Sequence, residues 1–320
     1  MIFTTIQEVR VRERFKAMKS VVVLLMVSIF GVSTPILESG VQSGSTKVVL
    51  LGTGTPNTNP DRFGPATAIV VNEQPYVVDA GAGVVRRVTA AGREGVAGMR
   101  PAKLTRLFIT HLHSDHTVGY PDFIFKPAVV GRRGPLHVYG PPGLQAMTDH
   151  LLEAWKLDLD IRLNGLEQGI EAAYEVVVHE IEPGVVYEDE NVRVRAFEVD
   201  HGAWEHAFGF RFESADRTVV ISGDAAPSPA LIENAMGADV LIHEVYSVEG
   251  FSRRTPPKQA YHSTFHTSTL ELAEIAGRVR PGLLLLYHLL PFSATEEQLL
   301  KELTDAYDGL VVMGVDLGVY

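Results

Sequence analysis

The stretch Thr110-His111-Leu112-His113-Ser114-Asp115-His116 is the most informative part of the chain, because it places three imidazoles and a carboxylate within six positions. It follows the apolar run 104–109, which predicts a buried strand. If strand geometry continues, the first two histidines point the same way and can share one ion, while the aspartate and the third histidine face a second. A surface cluster is a poor explanation, since adjacent imidazoles without a metal would repel on protonation. The segment therefore predicts a metal-binding turn.

Outward from this turn, apolar runs alternate with turn signals and helical patterns. The chain begins with strand patterns and then alternates strands with helices. This order predicts an α/β fold, a sheet-rich sandwich flanked by helices. No interdomain linker is evident after residue 46, so 46–320 is predicted to be a single domain that contains the metal-binding turn. Strands are predicted at 48–51, 68–71, 76–79, 104–109, 136–139, 175–179, 192–199, 208–212, 219–222, 240–243 and 283–287, and helices at 84–91, 142–157, 229–236, 267–279 and 295–307.

Composition bounds the class of protein. The chain has 320 residues, 46% of them hydrophobic and 21% charged, which suits a globular protein with a sizeable core. Its net charge of −11 gives no general attraction for phosphate backbones, so a nucleic-acid function would need a local basic patch. No cysteine occurs, which leaves histidine and carboxylate as the strong metal ligands.

The pattern of residues 1–45 predicts a basic segment, a signal peptide and a polar linker. The apolar run 21–32 is the h-region, and it is short for a spanning helix, which needs about 20 apolar residues. Export to the periplasm or the medium is therefore expected rather than a cytoplasmic location. No clean cleavage site is visible, so an uncleaved membrane anchor stays open, as does a translation start at Met18 instead of Met1.

The histidine motif resembles that of the metallo-β-lactamase superfamily, and the resemblance runs from about Lys47 to the C-terminus. It implies an αββα sandwich, in which two mixed β-sheets are flanked by helices. It also implies three further ligands, and the sequence offers His201, Asp224 and His288, each just beyond an apolar run. Such positions gather at one edge of the sheets. His206 lies close enough in sequence to compete with His201.

The resemblance assigns these residues to two metal ions. A bridging carboxylate suits this arrangement, because it offers two oxygens to cations roughly 3.5 to 4 Å apart. Two Zn²⁺ fit the ligand set best, although manganese or iron occurs with similar ligands. The ions would lower the pKa of a shared water towards about 7 and supply hydroxide as the nucleophile. The implied ligands are His111, His113 and His201 for the first metal, Asp115, His116 and His288 for the second, and Asp224 as the bridge.

Catalytic groups beyond the ligands are expected at His266 and Glu244, with Asp115 as a third candidate. The strings Leu241-Ile242-His243-Glu244-Val245-Tyr246 and His266-Thr267-Ser268-Thr269-Leu270 resemble the ribonuclease Z branch, in which such a histidine donates a proton to the leaving oxygen and the glutamate supports it. Departing alkoxide needs an acid, so this assignment is chemically reasonable. The alternative is that His266 only begins a helix. Asp79, after an early strand, is expected to fix the loop under the metal-binding segment.

The substrate class is predicted from the branch. An aspartate at position 224 argues against hydrolysis of β-lactams, and several strings resemble ribonuclease Z and secreted arylsulfatase-like enzymes. Segment 158–174 is acidic, and no basic arm that could grip RNA is evident. Release of counterions from RNA needs positive charge on the protein, so this segment argues against RNA binding. The main prediction is therefore an arylsulfatase-like or phosphodiesterase-like hydrolase of a small sulfate or phosphate ester. The alternatives are ribonuclease Z, which processes tRNA 3′ ends, and a metal-binding module without catalysis.

Two further expectations concern the pocket and assembly. Specificity depends on pocket walls, for which the aromatic candidates are Phe63, Phe123, Trp155 and Trp204. A homodimer is possible by analogy with related proteins.

Overall fold

The computed structural model describes residues 46–320, so the predicted signal peptide and linker lie outside the described residues. A first sheet has six strands that pair in sequence order. Its first three strands are antiparallel and the remaining pairings are parallel, so the sheet is mixed. The strands are β1 (Thr46–Gly52), β2 (Ala66–Val71), β3 (Gln74–Val78), β4 (Arg106–Phe108), β5 (Leu136–Gly140) and β6 (Val176–Glu180).

The second sheet has seven strands, which again pair in sequence order. The first four are antiparallel, and the last four pair in parallel. The strands are β7 (Gly184–Glu188), β8 (Val192–Glu198), β9 (Phe208–Ser214), β10 (Thr218–Ile221), β11 (Val240–Tyr246), β12 (Leu283–Leu290) and β13 (Val311–Met313).

Four of the ten helices in residues 46–320 begin at a serine or threonine whose side chain accepts a hydrogen bond from the first turn. Ser268 and Thr295 each form a capping box with the residue three positions on, which starts the two longest helices of the C-terminal half. Among the helices of residues 46–320, none is long and apolar enough to cross a membrane. The helices are α1 (Val84–Arg93), α2 (Ser114–Thr117), α3 (Tyr120–Val129), α4 (Leu144–Ala154), α5 (Lys156–Asn164), α6 (Pro229–Ala235), α7 (Val248–Ser252), α8 (Pro256–Phe265), α9 (Thr269–Val279) and α10 (Glu296–Ala306), with 3₁₀ turns at Pro101–Lys103 and Glu171–Ala173.

The core has three apolar layers. Between the sheets, Phe108 meets Phe210 and Phe212 edge-on, with ring centroids 5.6 and 5.3 Å apart. Helices α1, α3 and α4 cover the outer face of the first sheet, and α6, α9 and α10 cover that of the second. Burial of alternate strand residues on both faces holds the layers together. The predicted αββα sandwich is confirmed.

The structure differs from the sequence predictions in several elements. The helix predicted at 142–157 is two helices, because the chain leaves helical geometry at Trp155. Helices α3 and α8 were not predicted: α3 contains Pro127, and α8 begins with two prolines, which are tolerated in a first helical turn. Phe123 is fully buried in the core and Trp155 packs on Phe125, so neither forms a wall of the pocket described below.

A buried arginine links the first sheet to its helices. Arg132 is 1% exposed, and its guanidinium donates to the carbonyls of Leu104, Phe123, Ile124 and Ala173. Burial lowers the pKa of Arg132 to about 10, so the group stays charged at neutral pH. These bonds satisfy the buried charge through backbone oxygens alone.

Candidate metal centre and active-site cleft

Three histidines and an aspartate converge at one end of the two sheets. The Nε2 atom of His111 lies 2.9 Å from Nδ1 of His113, and Nε2 of His201 lies 3.1 Å from that same Nδ1. With Asp224, one ligand atom from each residue lies within 4.8 Å of the others. Nitrogens around a tetrahedral zinc ion are about 3.3 Å apart, given bonds of about 2.0 to 2.1 Å. The spacing therefore suits ligands of one metal ion.

A second cluster adjoins the first. It contains Asp115, His116 and His288, again with one ligand atom from each within 4.8 Å of the others. Oδ2 of Asp115 lies 3.3 Å from Nε2 of His288 and 3.5 Å from Nε2 of His116. Asp115 and His116 belong to α2, which begins directly after His113, so one short segment contributes to both clusters.

Asp224 faces both clusters. Its Oδ1 lies 3.5 Å from Nε2 of His116 and its Oδ2 lies 3.4 Å from Nε2 of His288, while the residue also belongs to the first cluster. The preceding Gly223 has a φ of +66°. A Cβ there would lie 3.0 Å from the carbonyl oxygen of Phe208, so glycine suits this turn for both reasons.

Two of the clustered imidazoles are oriented by a hydrogen bond on the nitrogen that faces away from the clusters. Nδ1 of His201 donates to the carbonyl of Phe265 at 2.8 Å. Nδ1 of His116 pairs with Oδ2 of Asp79 at 2.9 Å. Asp79 also accepts from the backbone N–H of Thr110 at 2.8 Å, so it lies under the histidine segment as expected. Such partners direct the remaining nitrogen towards a metal.

The donor set fits a divalent cation. Nε2 of His116 and Oδ1 of Asp224 are buried and have no hydrogen-bond partner among residues 46–320. Leaving such groups unsatisfied is costly, so a ligand is needed between them. Burial lowers the pKa of His111 well below its ordinary value, which keeps the imidazole neutral, the form that binds metals.

Glu244 and His266 form a pair beside the clusters. Oε1 of Glu244 accepts from the backbone N–H of Thr267 at 2.9 Å and lies 3.4 Å from Nδ1 of His266. Burial alone would lower the pKa of His266, but the Glu244 carboxylate outweighs burial and raises it. The ring of His266 lies 6.1 Å from that of His288. This places a proton-carrying group next to the second cluster.

A cleft of about 660 Å³ opens onto the clusters, and residues of α8 line one side of it. A second groove of about 530 Å³ adjoins it, with Phe63 and Arg86 on its walls. Trp204, another predicted wall residue, contacts His113 instead.

Other histidines stay outside the clusters. His206 pairs with Glu198 at 3.3 Å on the surface, so the structure places His201 and not His206 in the first cluster. His137 stacks on His179 between strands β5 and β6.

Sequence reasoning missed several residues of the cleft. His262 and Tyr261 on α8, Phe292 after β12 and Arg254 before α8 all line it. Their chain positions carry no strand-end pattern, which is the signal that found the ligands. The double proline at the start of α8 is the available signal, since it marks the helix whose last turn presents this side of the cleft.

The family model described as "Beta-lactamase superfamily domain" matches residues 75–289. A metallo-β-lactamase fold protein from Bacillus subtilis superposes with a TM-score of 0.67 at 18% identity, over 87% of this chain and 99% of that one. Human tRNase Z, short form, superposes with a TM-score of 0.64 at 23% identity, over 86% of this chain and 98% of that one. The chain therefore belongs to the metallo-β-lactamase superfamily.

Sequence similarity shows which branch of the superfamily the chain belongs to. Ribonuclease Z of Mycobacterium marinum is 32% identical over 276 residues, which cover 85% of this chain and 96% of that protein. Ribonuclease Z of Mycobacterium sp. strain KMS is 34% identical over 247 residues, covering 77% and 84%. Within the superfamily the chain falls in the ribonuclease Z branch, and it is a metal-dependent hydrolase that acts on ester bonds.

These relatives correct the predicted substrate. The main prediction, an arylsulfatase-like or phosphodiesterase-like hydrolase of a small ester, is wrong, because the similar proteins are ribonuclease Z enzymes. The acidic segment 158–174 misled the prediction. In the structure Arg162 pairs with Asp158 at 2.8 Å and with Glu167 at 2.9 Å, and α5 does not line the cleft. Its charge therefore says little about the substrate.

Proposed function

We propose that this protein is an endoribonuclease of the ribonuclease Z type that cleaves tRNA precursors at their 3′ ends and uses two zinc ions. The observation that carries the proposal is Asp224 facing both ligand clusters, in a chain 32% identical to ribonuclease Z over 85% of its length. Processing of tRNA 3′ ends is the activity that this resemblance implies.

The seven clustered residues are proposed as the metal ligands. His111, His113 and His201 would hold one ion, the second cluster would hold the other, and Asp224 would serve both. When bound, two divalent ions polarise phosphoryl oxygens and lower the pKa of a water molecule. The protein's own part is to fix the ligand nitrogens, which the hydrogen bonds of His201 to Phe265 and of His116 to Asp79 support.

His266 is proposed as the general acid. A water oxygen adds to phosphorus, the bond from phosphorus to the leaving ribose oxygen breaks, and His266 supplies the proton that this oxygen takes up. Nδ1 of His266 faces Glu244 at 3.4 Å, which leaves Nε2 as the nitrogen available to the cleft. Glu244 is a positioning residue, because its carboxylate holds the imidazole and favours its protonated form.

The cleft supports an RNA substrate despite the net charge of −11. Arg254 lines the cleft and Arg86 lines the adjoining groove, whereas the charge of Arg62 in the cleft is paired with Glu296. Arg254 and Arg86 supply local positive charge beside the clusters, which a nucleic-acid function requires. The two grooves share the wall formed by Ser114 and Asp115, so space extends to both sides of the clusters. An endonuclease needs such space, since its substrate continues in both directions from the scissile bond.

The test is cleavage of a precursor tRNA that carries a 3′ extension by the zinc-loaded protein. Nitrophenyl sulfate serves as the competing substrate, and mature tRNA without the extension serves as the control. We expect one cut at the 3′ end of the precursor, loss of activity after chelation and recovery on adding zinc. Hydrolysis of the sulfate ester with no cleavage of the precursor would overturn the proposal.

A further inference from the structure

Arg254 lies at the mouth of the cleft, between α7 and α8. Its guanidinium carbon lies 4.7 Å from the centre of the Phe292 ring, which is an attractive cation–π geometry. Both residues line the same cleft as His266 and His288. The ring therefore holds a flat cationic group at the edge of the site.

Within residues 46–320 the side-chain donors of Arg254 make no hydrogen bond. Its Nε is buried without a hydrogen-bond partner, and within residues 46–320 no carboxylate lies within ion-pair distance of it. Arg62, also in the cleft, donates to Glu296 and to Thr53, each at 2.6 Å. The neighbouring Arg253 pairs with Glu249. Arg254 is thus positioned to receive an anion, since a partly buried guanidinium is stabilised by an anionic partner.

A row of rings leads from the second cluster to Arg254. Ring centroids are 6.1 Å apart between His288 and His266, 5.7 Å between His266 and His262, and 4.5 Å between His262 and Phe292. Arg254 follows beyond Phe292. Because His266 faces the leaving oxygen in the proposed reaction, Arg254 lies further out on the leaving-group side.

We propose that Arg254 binds a backbone phosphate of the RNA on the leaving-group side of the scissile bond, and that Phe292 holds its guanidinium in place. A guanidinium presents a rigid fork of donors that matches phosphate oxygens. The inference rests on the proposed function, because it takes RNA as the substrate. It makes Arg254 a binding residue and assigns it no part in the chemical step.

The test compares Arg254→Gln with Arg253→Gln, which removes the same charge one position away from a side chain already paired to Glu249. KM for the extended precursor tRNA and its dependence on salt are measured with zinc-loaded protein. Binding of the same RNA is measured in the His266→Ala background, where the cleavage step is impaired. We expect Arg254→Gln to raise KM roughly tenfold and to reduce the log–log salt slope by about 0.7. Arg253→Gln should do neither, and Arg254→Lys should restore the slope.

The outcomes separate the two proposals. If the wild type cleaves the precursor and Arg254→Gln shows the same KM and the same salt slope as the wild type, the inference on Arg254 is overturned. The proposed function then still stands. If no cleavage occurs but RNA binding still depends on Arg254, the proposed function fails and the phosphate site stands. A lower melting temperature for Arg254→Gln with an unchanged salt slope makes the residue a packing residue only, which also overturns the inference.

Discussion

Trp204 donates a 2.9 Å hydrogen bond from its indole nitrogen to Nε2 of His113, and this leaves Nδ1 of His113 facing His111 and His201. An indole N–H can only donate, so this hydrogen bond needs Nε2 of His113 without a proton, and the neutral ring then carries its proton on Nδ1. A metal on Nδ1 needs the opposite tautomer, so metal binding and the indole hydrogen bond compete. The relationship joins a surface turn of the second sheet to the histidine segment of the first.

Replacing Trp204 with phenylalanine keeps an aromatic ring and removes the donor. We expect the affinity of the first metal site to rise about 2- to 10-fold, because a competing hydrogen bond of about 0.5–1.5 kcal/mol is lost. Competition with a chromophoric chelator measures this affinity. The matched control is Trp155→Phe, the same change at the chain's other tryptophan, which packs on Phe125 away from the clusters. A zinc affinity for Trp204→Phe at or below that of Trp155→Phe would contradict this competition.

Replacing His266 with alanine tests the proton donor. We expect kcat for precursor tRNA to fall about 10²- to 10⁴-fold, the usual contribution of general acid catalysis, with both metals retained. Rapid-quench assays at saturating RNA and elemental analysis of the protein measure the two quantities. His150→Ala, on the exposed face of α4, is the control. A His266→Ala enzyme with full kcat would remove His266 from the mechanism.

Replacing Arg132 with methionine tests the buried guanidinium. The variant leaves four backbone carbonyls without their donor, and we expect the free energy of unfolding to fall by about 3–5 kcal/mol. Urea denaturation measures the change. Arg133→Met, at the exposed neighbouring position, should cost less than about 0.5 kcal/mol. Similar losses in both variants would mean that the hydrogen bonds of Arg132 contribute little.

Glu302 gives a pH-dependent prediction. It accepts from the hydroxyls of Ser247 and Thr269 and from two backbone N–H groups at the start of α7. Burial alone would raise the pKa of Glu302, but these donors outweigh it and lower the pKa. A lowered pKa stabilises the fold above the unfolded value of about 4.3, and the contribution is lost as the pH falls through the folded value.

The measurement is urea unfolding of wild type and Glu302→Gln at several pH values. At pH 7 we expect the variant to be less stable by about 1–2 kcal/mol, and the difference should shrink as the pH falls below about 4. Asp305→Asn, on the same helix, removes only an exposed pair with Lys301 and should cost less than about 0.5 kcal/mol. A difference that stays constant with pH would contradict the role given to the carboxylate.

The fold and the clustered residues could be predicted from the sequence because of one regularity. His201 and Asp224 follow buried strands and His288 lies near the end of β12, and strands of a layered fold end at a common edge. The side of the cleft formed by Arg254, His262 and Phe292 could not be predicted. These residues meet only because α8 and the segment after β12 fold back towards the same clusters, and no local pattern encodes that approach.

The predicted substrate class was wrong for a different reason. The acidic charges of 158–174 were read as facing the substrate, whereas they are partly neutralised by Arg162 and lie outside the cleft. A charge count along the chain cannot tell which charges face a site. Export and dimer formation stay predictions.

The most direct test of the two-cluster mechanism is single-turnover cleavage of a 3′-extended precursor tRNA by zinc-loaded wild type and by Asp224→Ala. Asp224 is the residue that faces both clusters, so its loss should abolish cleavage. We predict one 3′-end cut by the wild type and a rate at least 10³-fold lower for the variant, as expected when metal catalysis is lost. A precursor left intact by the wild type, or cut equally fast by Asp224→Ala, would contradict the account.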